Sequence, residues 1–261
     1  MRAVITGAGS GIGRAVARML AERTTEANPA RLLLVDRDRD AVQLVAAELS
    51  VFGVHPVTCV VNLADRDAGV DVMQHAHTRL GGLDALISNA GAIHAMPIED
   101  VGADEFDRMF AINARATLLL AQAAFPMLKE SRGSIVATAS TAAEHPAPAL
   151  GVYSASKAAL AMLVEQMALE WGPLGIRCNC ISPGPTHTGM TAASYDDPAR
   201  REQRGLDIPL RRVGRPEDLA SAILFLISPA ASFITGVNLM VDGGLTRTLM
   251  VSPNSAALKI T

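Results

Sequence analysis

Aromatic side chains are scarce in this chain. They make up 3 % of 261 residues, with only two tyrosines and one tryptophan. Stacking is therefore a limited resource for ligand recognition, and each tyrosine is conspicuous. Cysteine is scarce too: the three present build no disulfide framework and fit a reducing compartment. Charge of either sign is not in excess. Twenty-three Lys and Arg stand against 26 Asp and Glu, and a net charge of −3 offers no basic field to nucleic acid. No apolar run reaches the roughly 20 residues needed to span a bilayer, so no membrane partner is expected. The N-terminus opens on an apolar strand pattern rather than on a basic leader with a cleavage site. The expectation is a soluble, cytoplasmic protein.

Metal ligation finds little support. Cys178 and Cys180 flank Asn179 and would share one face of a strand. A zinc half-site would need a second ligand pair, so buried strand thiols are the better reading, and no metal is expected. His75 and His77 lie two apart in a helical stretch and diverge.

Apolar residues are plentiful, at 49 %, enough for one sizeable core. Short β-branched runs at 2–6, 31–36, 54–61, 84–88, 134–139, 176–182 and 237–242 read as buried strands. Helical patterns lie between them at 11–26, 38–50, 66–80, 104–130, 152–172 and 216–228. Pro216, followed by acidic residues, marks a helix start. Pro126 is expected to kink or end the fourth helix. Alternating strands and helices imply parallel βαβ units in one doubly wound α/β domain over 1–261. Residues 185–212 carry Pro, Gly and mixed charge and read as an irregular segment that closes over a substrate. Residues 247–261 read as a tail without periodicity.

In "VITGAGSGIGRAVARML" a strand runs into Gly7, Gly9, Gly11 and Gly13 and then into a helix. Glycines permit positive φ and close backbone approach, and the helix N-terminus offers free N–H groups to a pyrophosphate. The second strand ends at Asp36, where a carboxylate would accept the adenosine ribose hydroxyls and repel a 2′-phosphate, favouring NAD over NADP. The neighbouring Arg37 could bind a phosphate and points the other way. In "GVYSASKAAL", Tyr153 and Lys157 stand four apart and share one helix face, with only small residues between them.

"TGAGSGIG" (6–13), "NAG" (89–91), Ser140, "YSASK" (153–157) and "PGPTHT" (183–188) occur in that order, and "VDGG" (241–244) follows. In these motifs the whole chain resembles the short-chain dehydrogenases/reductases. The resemblance implies a Rossmann-type domain with a seven-stranded parallel sheet, assembled as a homotetramer or dimer. It implies that Gly7, Ser10, Gly11, Ile12 and Gly13 surround the pyrophosphate and adenosine ribose, and that Asp36 and Arg37 lie at that ribose. Asn62, where the family more often has Asp, and Leu63 would sit beside adenine. Asn89, Ala90 and Gly91 would line the middle of the cofactor. Pro183, Gly184, Thr186 and Thr188 would lie at the nicotinamide, Thr186 through its backbone.

The resemblance also implies the chemistry. Tyr153 would be the acid/base, Lys157 would lower its pKa and hold the nicotinamide ribose, and Ser140 would bond the substrate oxygen. Asn113 would carry a water-mediated proton path from Lys157. Ser140 lacks the G-x-S-x-G elbow of a hydrolase. Ala142, Leu150, Pro185, Met190 and Tyr195 would add pocket wall, with His94 and His145 at its rim. The expected substrate is a secondary alcohol or ketone of moderate size, with steroid, alicyclic, polyol and hydroxyacyl alcohols all open. Two alternatives stand beside it: a dinucleotide-binding sensor or scaffold without chemistry, and an NADP-linked carbonyl reductase.

Overall fold

The strand runs collect into one sheet because each is apolar on both faces and must be covered on both. In the computed structural model, which describes residues 1–27 and 29–248, seven strands pair in parallel: β1 (Arg2–Thr6), β2 (Arg31–Asp36), β3 (Val57–Val60), β4 (Ala85–Ser88), β5 (Ser134–Thr138), β6 (Arg177–Pro183) and β7 (Asn238–Val241). Their order is β3-β2-β1-β4-β5-β6-β7, the doubly wound arrangement the sequence predicts. The helices are α1 (Gly11–Glu22), α2 (Arg39–Leu49), α3 (Ala68–His75), α4 (Ala103–Phe110), α5 (Ala116–Ser131), α6 (Gly151–Trp171), α7 (Ala192–Tyr195), α8 (Pro198–Leu206) and α9 (Pro216–Ile227).

Strand periodicity of two divides the interior into two cores. Val4, Leu33 and Val35 face one core with α3, α5 and α6. Ala3, Ile5, Leu32 and Leu34 face the other with α1, α2 and α9. Burying Leu and Ile side chains on both faces, at about 1.5–3 kcal/mol each, dominates the folding free energy. Asp84 ties the sheet's centre at one end, accepting from the Arg2 backbone N–H at 2.7 Å and from its guanidinium at 2.6 Å.

Several boundaries differ from the sequence reading, each for a local reason. β3 starts at Val57 rather than 54, because Pro56 has no N–H to give a ladder. The expected helix at 104–130 divides into α4 and α5 around a π turn, Ala111–Arg115. Pro126 does not end α5, which runs on to Ser131. Gln122 and Pro126 are both exposed, so the carbonyl that loses its donor faces water, while Ala121, Ala124 and Leu128 remain buried. The segment 185–212 is not irregular throughout. It contains α7 and α8, the latter opened by Asp197, which accepts from the Ala199 N–H at 2.9 Å, and by Pro198 in its first turn. Of the expected tail, Leu245–Arg247 form a single 3₁₀ turn, and 249–261 lie outside the described residues.

Candidate active site

Parallel strands deliver all their carboxyl ends to one edge, and a crevice opens where the strand order reverses, here between β1 and β4. The glycine loop follows β1, Asp36 closes β2, Asn62 follows β3, Asn89–Gly91 follow β4, Ser140 follows β5, and Pro183–Thr188 end and follow β6. The expected cofactor residues are therefore brought to one edge.

The glycine loop is shaped by near contacts. Gly7 has φ +64° and Gly11 φ +51°, a region costly for other residues. A Cβ on Gly13 would overlap the Gly7 carbonyl, so helix and strand pack at backbone contact. A Cβ on Gly11 would lie 3.3 Å from Thr188 Cβ, which brings the far loop against the near one. Ser10 makes no side-chain cap on α1, so the first-turn N–H groups stay available to an anion. Asp36 is held in place: its Oδ2 accepts from the Gly9 N–H at 2.9 Å and its Oδ1 from the Asp38 N–H at 3.1 Å. Arg37 is exposed beside it. These features fit a dinucleotide.

Asn62, expected beside adenine, has an Oδ1 that already accepts from the Ala64 N–H at 3.2 Å and an Nδ2 that donates to Asp65 at 3.2 Å. The Leu63 side chain is buried in the core, leaving only its backbone at the site. In the middle, Thr6 Oγ1 accepts the N–H groups of Asn89 at 2.9 Å and Ala90 at 3.0 Å. Asn89 also accepts from Thr138 Oγ1 at 3.0 Å. Thr6 and Thr138 escape a motif search, although hydroxyls at the carboxyl ends of two buried strands are their sequence signal.

The polar centre lies on α6. Lys157 is 4 % exposed, and its Nζ donates to the Thr138 carbonyl at 2.7 Å and lies 5.9 Å from the Tyr153 ring centroid. Burial pushes its pKa down to about 8. Tyr153 is half-buried, with Ser140 close enough to influence its phenol. Burial raises its pKa above the ordinary value, and the neighbouring Ser140 hydroxyl pulls the other way. The expected lowering of the phenol by Lys157 is therefore not a property of the chain alone: burial is the larger influence, and it carries the phenol upward. Ser140 is 9 % exposed, and its Oγ accepts from the Ala142 N–H at 3.1 Å.

Asn113 sits in the π turn that splits the long helix, an irregularity that often marks a functional position. Its amide spans the Ala92 backbone, accepting from N–H and donating to C=O, both at 2.9 Å, and donates to Ser156 at 3.1 Å. It makes no direct bond to Lys157, but both abut Gly91. A Cβ there would lie 2.9 Å from Asn113 Oδ1 and 3.2 Å from Lys157 Nζ.

The expected substrate residues are more scattered. Ala142 is buried, and Leu150 and Pro185 are half-buried. Met190 and His145 are exposed. His94 is turned to Glu105, its Nδ1 at 2.8 Å, and Arg108 completes that cluster. Arg108 and His94 together hold the Glu105 carboxyl at about 2. Tyr195 ends α7, its carbonyl accepting from Arg201 at 2.8 Å. Cys178 and Cys180 are buried with thiols pushed up to about 12, and no metal-ligating cluster occurs among the described residues. No described helix is long and apolar enough to cross a membrane.

Comparison with known proteins agrees with this geometry. Residues 7–246 match the family model described as enoyl-(acyl carrier protein) reductase. The chain is 37 % identical over 245 residues to dehydrogenase/reductase SDR family member 4 of Bos taurus, covering 93 % of this chain and 86 % of that one. Among solved structures, it is similar to 7α-hydroxysteroid dehydrogenase complexed with NADH and 7-oxo glycochenodeoxycholic acid, with TM-score 0.86, 34 % identity and 93 % of each chain covered. It is also similar to a putative gluconate 5-dehydrogenase of Beutenbergia cavernae with bound NADP, with TM-score 0.85, 34 % identity, and 94 % of this chain and 96 % of that one covered.

Proposed function

Because the chain belongs to the short-chain dehydrogenase/reductase family of oxidoreductases, we propose that it interconverts a secondary alcohol and its ketone with NAD(H). The observation that carries this reading is Tyr153, with the Ser140 hydroxyl beside it and a buried Lys157 on the same helix face, its ammonium 5.9 Å from the ring centroid. A bound nicotinamide dinucleotide supplies the hydride acceptor or donor. The glycine loop and the first turn of α1 hold its pyrophosphate, and Lys157 holds the nicotinamide ribose. Ser140 donates to the substrate oxygen and steadies charge developing there. Tyr153 takes the alcohol proton in oxidation and returns it in reduction. Asn113 leads protons out from Lys157 through water.

The fixed Asp36 carboxylate supports NAD. Asp36→Ala should raise the NADP⁺ over NAD⁺ ratio of kcat/KM by roughly tenfold or more, since about 1.4 kcal/mol of repulsion is a factor of ten. A parent chain that already prefers NADP⁺ would favour the carbonyl-reductase reading, for which the exposed Arg37 speaks. A panel of steroid, alicyclic, polyol and hydroxyacyl alcohols, read as NADH formation, tests the activity itself. Binding of NADH without turnover of any member would favour a sensor.

The same reading includes self-association. α6 is buried on one side, yet Ala155, Ala158, Met162 and Leu169 form an apolar stripe on the other, with Met162 62 % and Leu169 75 % exposed. A second copy of the chain would cover it. Sedimentation should show a dimer or tetramer that Met162→Glu weakens, and a monomeric parent would refute this.

A further inference from the structure

The stretch Thr186–Thr191 folds around one hydroxyl that the reaction does not use. Thr191 Oγ1 accepts the Thr188 N–H at 3.0 Å and lies 2.6 Å from the Thr186 carbonyl oxygen, to which it donates. A hydroxyl donates once and can accept twice, so the donor goes to Thr186 while Thr188 Oγ1 also lies 3.3 Å away. The Thr186 carbonyl is thereby fixed in plane with one lone pair still free. On its other side the stretch is clamped to Gly214: the His187 N–H donates to the Gly214 carbonyl, and the Gly214 N–H donates to the Pro185 carbonyl, both at 2.9 Å. Backbone groups alternate along an extended stretch, so the clamp leaves the Thr186 N–H facing away from Gly214. That N–H has no acceptor among the described residues, although Thr186 is only 5 % exposed. Its own hydroxyl is spent on the Gly184 carbonyl at 2.9 Å.

The product of these bonds is a free donor and a half-free acceptor on one residue, held at fixed spacing. A primary carboxamide is the complementary group, one C=O and one NH₂ in a plane. Thr188, whose N–H Thr191 holds, packs at Gly11, so the same hydroxyl sets the distance from this pair to the glycine loop.

We propose that Thr191 is a positioning residue for the nicotinamide end of the dinucleotide: it preforms the Thr186 backbone that reads the carboxamide and spaces it from the pyrophosphate site. The inference rests on the NAD(H) reading above. Its energetic basis is preorganisation, since a stretch already ordered does not pay for ordering on binding.

The test compares two ligands that differ only beyond the pyrophosphate. Thr191→Val keeps the shape and removes the hydroxyl, and Thr191→Ser keeps the hydroxyl. Thr191→Val should weaken NADH binding by roughly tenfold, the scale of one or two lost hydrogen bonds. It should leave ADP-ribose binding unchanged, and Thr191→Ser should restore NADH affinity. Equal losses for NADH and ADP-ribose would mean a merely structural role and overturn the proposal, as would a valine variant that binds NADH like the parent. A parent chain that binds neither NADH nor NADPH would instead sink the proposed function and this inference with it.

Discussion

Tyr153→Phe is expected to lower turnover by about 10²–10⁴-fold, the range of a positioned proton-transfer group, and to leave NADH affinity within about twofold. The substitution removes one oxygen from a half-buried ring. The ring's place beside Lys157, 5.9 Å from the ammonium, is kept, and so is the Lys157 bond to Thr138. Nothing in the glycine loop or at Asp36 touches the phenol. The loss should therefore fall on kcat, measured with the best alcohol of the panel, while NADH titration by fluorescence stays flat. A phenylalanine variant with near-normal turnover would remove Tyr153 from the mechanism. Such a result would throw the burden onto Ser140.

Lys157→Met should also cost about 10²-fold or more in kcat/KM, and it should change how stability depends on pH. In the folded chain burial takes the ammonium down to about 8 from an ordinary 10.5. Between those values the unfolded chain still binds a proton that the folded chain has released. Stability therefore rises with pH across that window, and below pH 8 the burial penalty is felt in full. At about 1.4 kcal/mol per pH unit, the rise attributable to Lys157 is of order 3 kcal/mol. Denaturant unfolding without cofactor, at pH 7 and pH 10, should show this rise in the parent and lack it in the methionine variant. Equal slopes in the two proteins would mean that Lys157 keeps its ordinary affinity for protons in the fold. The reaction thus keeps a cation where stability would favour a hydrocarbon.

Sequence pattern carried the architecture because buried parallel strands are written as continuous apolar runs. "RLLLVD" buries four of its six residues, and nothing but two covered faces demands such a run. The glycine loop and the Tyr153–Lys157 spacing were legible for a different reason: each is a backbone or helix constraint within a few residues. What stayed hidden depends on contacts made across the chain. Thr6 serves Asn89, 83 residues away. Lys157 finds the Thr138 carbonyl only once α6 lies on β5. The π turn at Asn113 has no local marker in "FAINARA"; it follows from bonds the amide makes to Ala92 and Ser156. The direction of the Tyr153 shift was hidden too, since burial is set by everything packed around the ring. α8, by contrast, was legible in principle, for Asp197-Pro198 is a start signal that mixed charge obscured.

The bond between Thr6 and the Asn89–Ala90 backbone joins residues more than eighty apart, so the crevice cannot exist until both have been made. Thr6 leaves the ribosome with the first strand, and its partners follow more than eighty residues later. Until then the glycine loop has one wall and no crevice. The entropy of closing so long a loop grows only slowly with its length, but that cost comes before the distant contact contributes any stability, which makes such contacts slow to form. A nascent chain ending before Ala90 displays the whole phosphate-binding signature and lacks the place where a dinucleotide would lie.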